Sequence, residues 1–212
     1  MSALAVETPQ LVTGMRMTPE EFLAAWDRLP DVKHAELIDG VVYVSSPVSK
    51  DHNEPHRLVV LLFANYEMNN PDCHFGFEAT WTMQGSIPQP DVFLRRRPAH
   101  GGQSRNGLKF YDGAPELAVE VCVTSTSHDF GPKLALYRRA GVREYVTIET
   151  LQGKIRWRTL EGGVYVDLEP DADGVYRSRE FPGLWFDSAA FWADDMKGLI
   201  ATLERGLASR PE

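Results

Sequence analysis

The stretch that most limits what this 212-residue chain can fold into is residues 117–149, LAVEVCVTSTSHDFGPKLALYRRAGVREYVTIE. It opens with an apolar, largely β-branched run: Leu117, Ala118, Val119, Val121 and Val123. A polar turn from Thr124 to Asp129 follows, then a short helical pattern that carries Lys133 and stops at Gly141. A second apolar run, Tyr145 to Ile148, closes the unit. The pattern predicts strand–helix–strand, a crossover between two parallel strands. Parallel strands covered on both faces read as continuous apolar runs, so Glu120, in the middle of the first run, needs a reason. A lone buried carboxylate is costly and either takes up a proton or finds a cation.

The rest of the chain supplies elements around this unit. Residues 1–16 show no clear period and read as a tail or arm. Thr18-Pro19-Glu20-Glu21 is a capping box that starts a helix, with Phe22, Trp26 and Leu29 as its buried stripe. Asp39-Gly40 between two apolar runs marks a β-hairpin, and Glu36 lies just before that turn. Residues 47–57 read as a polar loop leading into a buried helix over 57–68. His52 and His56 stand four apart in that loop, a spacing that on a helix could chelate a metal, but Pro55 argues against a regular helix across both, so cap or surface roles are expected for them. From Cys73 to Met83 the period becomes two, as in a half-buried strand. Pro90-Asp91-Val92-Phe93-Leu94 is a short strand with Asp91 at its start. Residues 96–115, with four glycines and two prolines, read as a long loop. After Glu149, KIRWRTL, GVYVDLEP and GVYRSREFP predict an antiparallel meander added to the sheet, followed by an aromatic docking segment and a terminal amphipathic helix over 195–207. The domain reading is a tail at 1–16, a body at 17–195, and a C-terminal helix and tail at 196–212.

Composition narrows the function classes. An apolar share of 43% is enough for a core, and no stretch of about 18 apolar residues suggests a membrane span. The first residues lack a secretory pattern, and only Cys73 and Cys122 occur, which suits a reducing cytoplasm. A net charge of −8 weighs against a protein that coats nucleic acid. It does not weigh against a nuclease, whose metal site consists of acids.

Three features combine into candidate chemistry. Asp91 starts one strand, Glu120 interrupts another, and Lys133 sits on the helix that follows. Lys133, Leu136, Tyr137 and Ala140 share one helix face, so the lysine lies on the stripe that packs against the sheet. Two carboxylates and a backbone carbonyl make an oxygen-rich site for Mg²⁺ or Mn²⁺. A nearby lysine can orient a water or stabilise charge developing on a phosphorane.

The order Pro90-Asp91, Glu120-Val121-Cys122, Lys133 resembles the PD-(D/E)XK nuclease superfamily. More narrowly, MTPEEFL, AELIDGVVYVSSP, QPDVFL, the 116–149 stretch and PGLWFD resemble the Uma-type family of restriction-endonuclease-like proteins. The resemblance implies an α/β (α+β) fold: a mixed β-sheet flanked by helices, with the acids gathered at one end. It implies a Mg²⁺- or Mn²⁺-dependent endonuclease acting on DNA, as a homodimer. Carried over by position, Asp91 and Glu120 are the metal ligands, the Val121 carbonyl a third ligand, Glu36 the accessory acid, and Lys133 the catalytic lysine. Cys122 stands where the superfamily motif has its lysine, so that role moves to the helix. Cys122 itself reads as a small buried filler, and Ser125, Thr126 and Asp129 as helix caps. Tyr137 reads either as lining the site or as core.

Two other readings stay open. A nuclease-derived fold without activity, serving as a structural or DNA-associated partner, fits the net acidity. A two-carboxylate hydrolase acting on sugars would need neither the lysine nor the metal.

Overall fold

A computed structural model describes residues 10–123 and 129–210 of the chain. From Leu11 the chain lies along the first hairpin: Gly14 N–H donates to Val42 O at 2.8 Å and Met17 N–H to Gly40 O at 2.9 Å. Helix α1 (Pro19–Trp26) starts with the capping box complete, Thr18 Oγ accepting from Glu21 N–H and Glu21 from Thr18 N–H. Phe22 is buried, whereas Trp26 and Leu29 are half-buried. Strands β1 (Ala35–Ile38) and β2 (Val41–Val44) form the hairpin. Both turn residues, Asp39 (φ 52°) and Gly40 (φ 74°), take the left-handed conformation that tight hairpins require.

Helix α2 (Lys50–Met68) begins seven residues earlier than the sequence predicts and runs through Pro55. The ring removes one helical N–H, whose partner would be the carbonyl of Asp51. Asp51 is exposed near the helix end, where water can take that carbonyl. His52 and His56 therefore do lie on one regular helix, contrary to the reading of 47–57 as a loop.

The strand expected over 73–83 breaks. Strand β3 (Cys73–Phe77) ends at Glu78, which has φ 50°, and β4 (Trp81–Thr82) belongs to another sheet. The period-two residues serve two cores: Phe75 packs with the α2 side, Trp81 with the opposite one. Strand β5 (Val92–Arg96) follows Asp91. The 96–115 segment holds two short strands, β6 (Arg105–Asn106) and β7 (Tyr111–Asp112), which pair with β4 in a three-stranded sheet. Its base is pinned by fully buried Glu116, which accepts from Arg96 N–H and Gln103 N–H, each at 2.9 Å. Arg95, also buried, stacks on Tyr111 at 4.4 Å.

Strand β8 (Leu117–Cys122), helix α3 (Leu134–Ala140) and β9 (Glu144–Glu149) form the expected crossover, β8 pairing parallel with β9. A single wide turn, Asp129–Lys133, leads into α3. Ser125, Thr126 and the side chain of Asp129, expected as caps, lie outside the described residues. Strands β10 (Lys154–Glu161) and β11 (Val164–Leu168) extend the sheet antiparallel. The third segment of the expected meander does not join: β12 (Val175–Arg177) pairs with β13 (Trp185–Asp187) in a separate ribbon. Helices α4 (Ser188–Trp192) and α5 (Met196–Ala208) close the chain.

The six-stranded sheet runs β11-β10-β9-β8-β5-β3 and is mixed: β8 and β9 pair parallel, and the other neighbours pair antiparallel. Alternation along the strands sorts the side chains. Leu117, Val119 and Val121 face the core shared with α2 and α5, through Leu62, Phe63, Leu199 and Leu203. Ala118 faces the other core with Leu136 and Tyr137 of α3. Glu120, two residues on from Ala118, is on the α3 face.

Candidate active site

Burial of Glu120 follows from its place in β8, and its partners follow from α3. Glu120 is 3% exposed and Lys133 4%. Lys133 Nζ donates to Glu120 Oε2 at 2.9 Å, and Tyr137 Oη, one helical turn on, donates to Oε1 at 2.8 Å. Burial, followed by the charges of Glu120 and Glu36, pushes the Tyr137 phenol well above its ordinary range, so it stays protonated and donates. Tyr137 thus both packs in the core and holds the acid.

Glu36 arrives from the hairpin. Leu37 and Ile87 form a two-bond β-bridge (2.7 and 3.1 Å), which sets Glu36 beside Gln89. Glu36 Oε1 accepts from Gln89 N–H at 2.6 Å and from Lys133 Nζ at 3.0 Å. It is buried, not a water-facing edge residue. Gln89 O lies 3.5 Å from the same ammonium. Lys133 therefore bridges two buried carboxylates from two separate elements.

Asp91 sits at the bend before β5. Its Oδ2 accepts from Val121 N–H at 2.6 Å and from His52 Nε2 at 3.2 Å. His56 Nε2, one turn further along α2, donates to the Asp91 carbonyl at 3.1 Å. Burial works against the charge on Asp91. The His52 hydrogen bond and charge, with smaller help from Lys133 and Val121 N–H, nevertheless hold its carboxyl below the ordinary value.

Glu36, His52, Asp91, Glu120, Val121 and Lys133 all line one cleft of about 320 Å³. All five residues singled out in the sequence are thus brought together. Cys122 lines the same cleft and is a buried free thiol. His52 is not among the residues expected in the site, because Pro55 argues against a regular helix across His52 and His56 and the helix is expected only from residue 57; the four-residue histidine spacing is the available signal. Gln89 is not among them either, because its contribution is backbone and leaves no trace in residue type.

Four carboxylates line the cleft, Glu36, Glu78, Asp91 and Glu120, against one lysine, so its acids outnumber its ammonium by three. Among the described residues, no three His, Cys, Asp or Glu side chains form a ready-made metal cage. Mg²⁺ usually binds through one or two carboxylates and keeps several waters. The donor set of Asp91, Glu120 and the Val121 carbonyl fits such an ion in type and in charge.

Among solved structures, the chain is similar to the crystal structure of a putative nuclease belonging to DUF820 from Anabaena variabilis ATCC 29413. The TM-score is 0.61 at 15% identity, covering 88% of this chain and 99% of that one. At that identity the likeness shows the fold. No curated protein matches the chain. A family profile matches residues 19–190, well over half of the sequence, and by that match the chain belongs to the Uma2 family, described as putative restriction endonuclease.

Proposed function

We propose that the chain is a divalent-metal-dependent endonuclease that hydrolyses phosphodiester bonds of DNA, as a homodimer in the cytoplasm. The observation that carries this reading is the Lys133 ammonium, held between Glu120 and Glu36 in a cleft that also presents Asp91. Family membership supports the reaction class. Two buried free thiols accord with a reducing compartment.

Asp91, Glu120 and the Val121 carbonyl would hold Mg²⁺ or Mn²⁺. The ion would supply Lewis-acid charge next to the phosphoryl oxygens and the attacking water. The chain's residues prepare that site. Tyr137 and Lys133 each donate to one oxygen of Glu120, which fixes its rotamer. Glu36 anchors Lys133 from the opposite side and keeps the ammonium in the cleft. Lys133 then offers a fixed positive charge, preorganised at a buried position, to the negative oxygens of the pentacoordinate phosphorane.

The test is nicking of supercoiled plasmid with Mg²⁺ or Mn²⁺. Wild type should cut, chelation should stop it, and Glu120→Gln and Lys133→Ala should lose about 100-fold or more. Absence of cleavage by wild type on DNA and RNA substrates would leave the silent nuclease-fold alternative. Equal cleavage by the variants would remove these residues from the chemistry.

A further inference from the structure

Helix α2 reaches the site by a route that the acids and lysine do not account for. Its two histidines, one turn apart with ring centroids 5.7 Å from each other, grip Asp91 at both ends. His52 holds the carboxylate and His56 the main-chain carbonyl. His56 is itself wedged against Phe77, edge-on at 6.0 Å. A carboxylate at a bend has two free torsions, and a metal ligand has to be held in one of their wells. Among the described residues, both donors to the Asp91 carboxylate, His52 Nε2 and Val121 N–H, fall on Oδ2. Two donors on one oxygen fix the rotamer and leave Oδ1 as the oxygen available to an ion.

We infer that His52 is a positioning residue of this site, and that α2 is part of the metal-binding apparatus as well as a covering helix. The inference rests on the proposed nuclease reading. His52 acts through its Nε2–H: it orients Asp91 and contributes no bond to the reaction. His56 does the same for the backbone at the bend, so that the carboxylate starts from a fixed point.

The test is Mn²⁺ affinity, followed by the electron paramagnetic resonance signal of free Mn²⁺, for the full chain and for His52→Ala and His52→Gln. The Gln amide nitrogen reaches about as far as His Nε2 and can donate the same hydrogen bond. Loss of an outer-shell partner typically costs roughly 10–100-fold in metal affinity. His52→Ala should bind Mn²⁺ more weakly by that factor, and His52→Gln should recover most of it. A thermal melt of each variant in chelator shows that the comparison is made on folded protein. Wild-type affinity in His52→Ala, with cleavage intact, would overturn the inference and leave the nuclease reading standing. Equal weakening in both variants would also overturn it, since the imidazole would then matter as a ligand and not as a donor. If wild type neither binds Mn²⁺ nor cuts, the nuclease reading fails and the inference fails with it.

Discussion

Replacing Lys133 by Met keeps a similar side-chain volume and removes the ammonium that bridges Glu36 and Glu120. The ammonium side chain is 5% exposed and lies 3.0 Å from Glu36 and 2.9 Å from Glu120, whose side chains are 7% and 4% exposed. An exposed pair would be worth less than about 1 kcal/mol. Removing one member of a buried pair instead leaves an uncompensated charge, at about 3–5 kcal/mol. Both carboxylates share the one lysine, so the two bridges are lost together and their costs do not simply add. For a chain of this size each kcal/mol shifts Tm by about 2–4 °C, so the expected drop is roughly 6–20 °C. The assay is thermal and urea unfolding at pH 7 in chelator, so that no ion substitutes for the ammonium. Glu36→Gln added to Lys133→Met should recover at least about 1 kcal/mol, because it removes the charge of one of the two carboxylates that the ammonium bridges. A loss below about 1 kcal/mol for Lys133→Met, with no recovery in the double variant, would refute the buried-bridge reasoning.

Other consequences follow from neighbouring residues. Tyr137→Phe deletes the 2.8 Å hydrogen bond to Glu120 and should cost about 1.5–3 kcal/mol, as for bonds to charged groups; an unchanged urea midpoint would argue against that bond. Glu144 is held by Ser178, Trp157 and the Arg179 and Glu180 N–H groups, yet burial outweighs them and raises its pKa. The folded state therefore keeps the Glu144 proton to higher pH than the unfolded chain. Its contribution to stability is complete below the ordinary carboxylate pKa and is lost as pH rises through the raised one. Glu144→Gln removes that titration, so the Tm gap between wild type and variant should narrow as pH rises from 4 to 7. A gap independent of pH would contradict the raised value.

The fold was legible where local chemistry and tertiary packing agree. The capping box at Thr18, the Asp39-Gly40 turn and the parallel 117–149 crossover all stand as read, since each is set by a few neighbouring residues. The expectation failed where one segment serves two environments. Residues 73–83 alternate cleanly, but Phe75 and Trp81 feed different cores, and the chain turns at Glu78 to reach both. Val175–Arg177 has strand character in either setting, and nothing local says that its partner is Trp185–Asp187 rather than the main sheet. In the site, Asp91, Glu120 and Lys133 were visible because a charge among apolar neighbours is anomalous in sequence. His52 was not, because a general rule about proline was applied where the missing hydrogen bond falls at an exposed helix end.

Glu120 is a buried carboxylate inside an apolar strand, and in the proposed function it and Asp91 are the two halves of one ion site. The measurement that tests this most directly is anomalous diffraction from crystals grown with Mn²⁺. A shared site predicts a single strong peak within coordination distance of both the Asp91 and Glu120 carboxylates, close to the Val121 carbonyl. A peak that contacts only one of the two acids, or no peak in the cleft at saturating Mn²⁺, would contradict it.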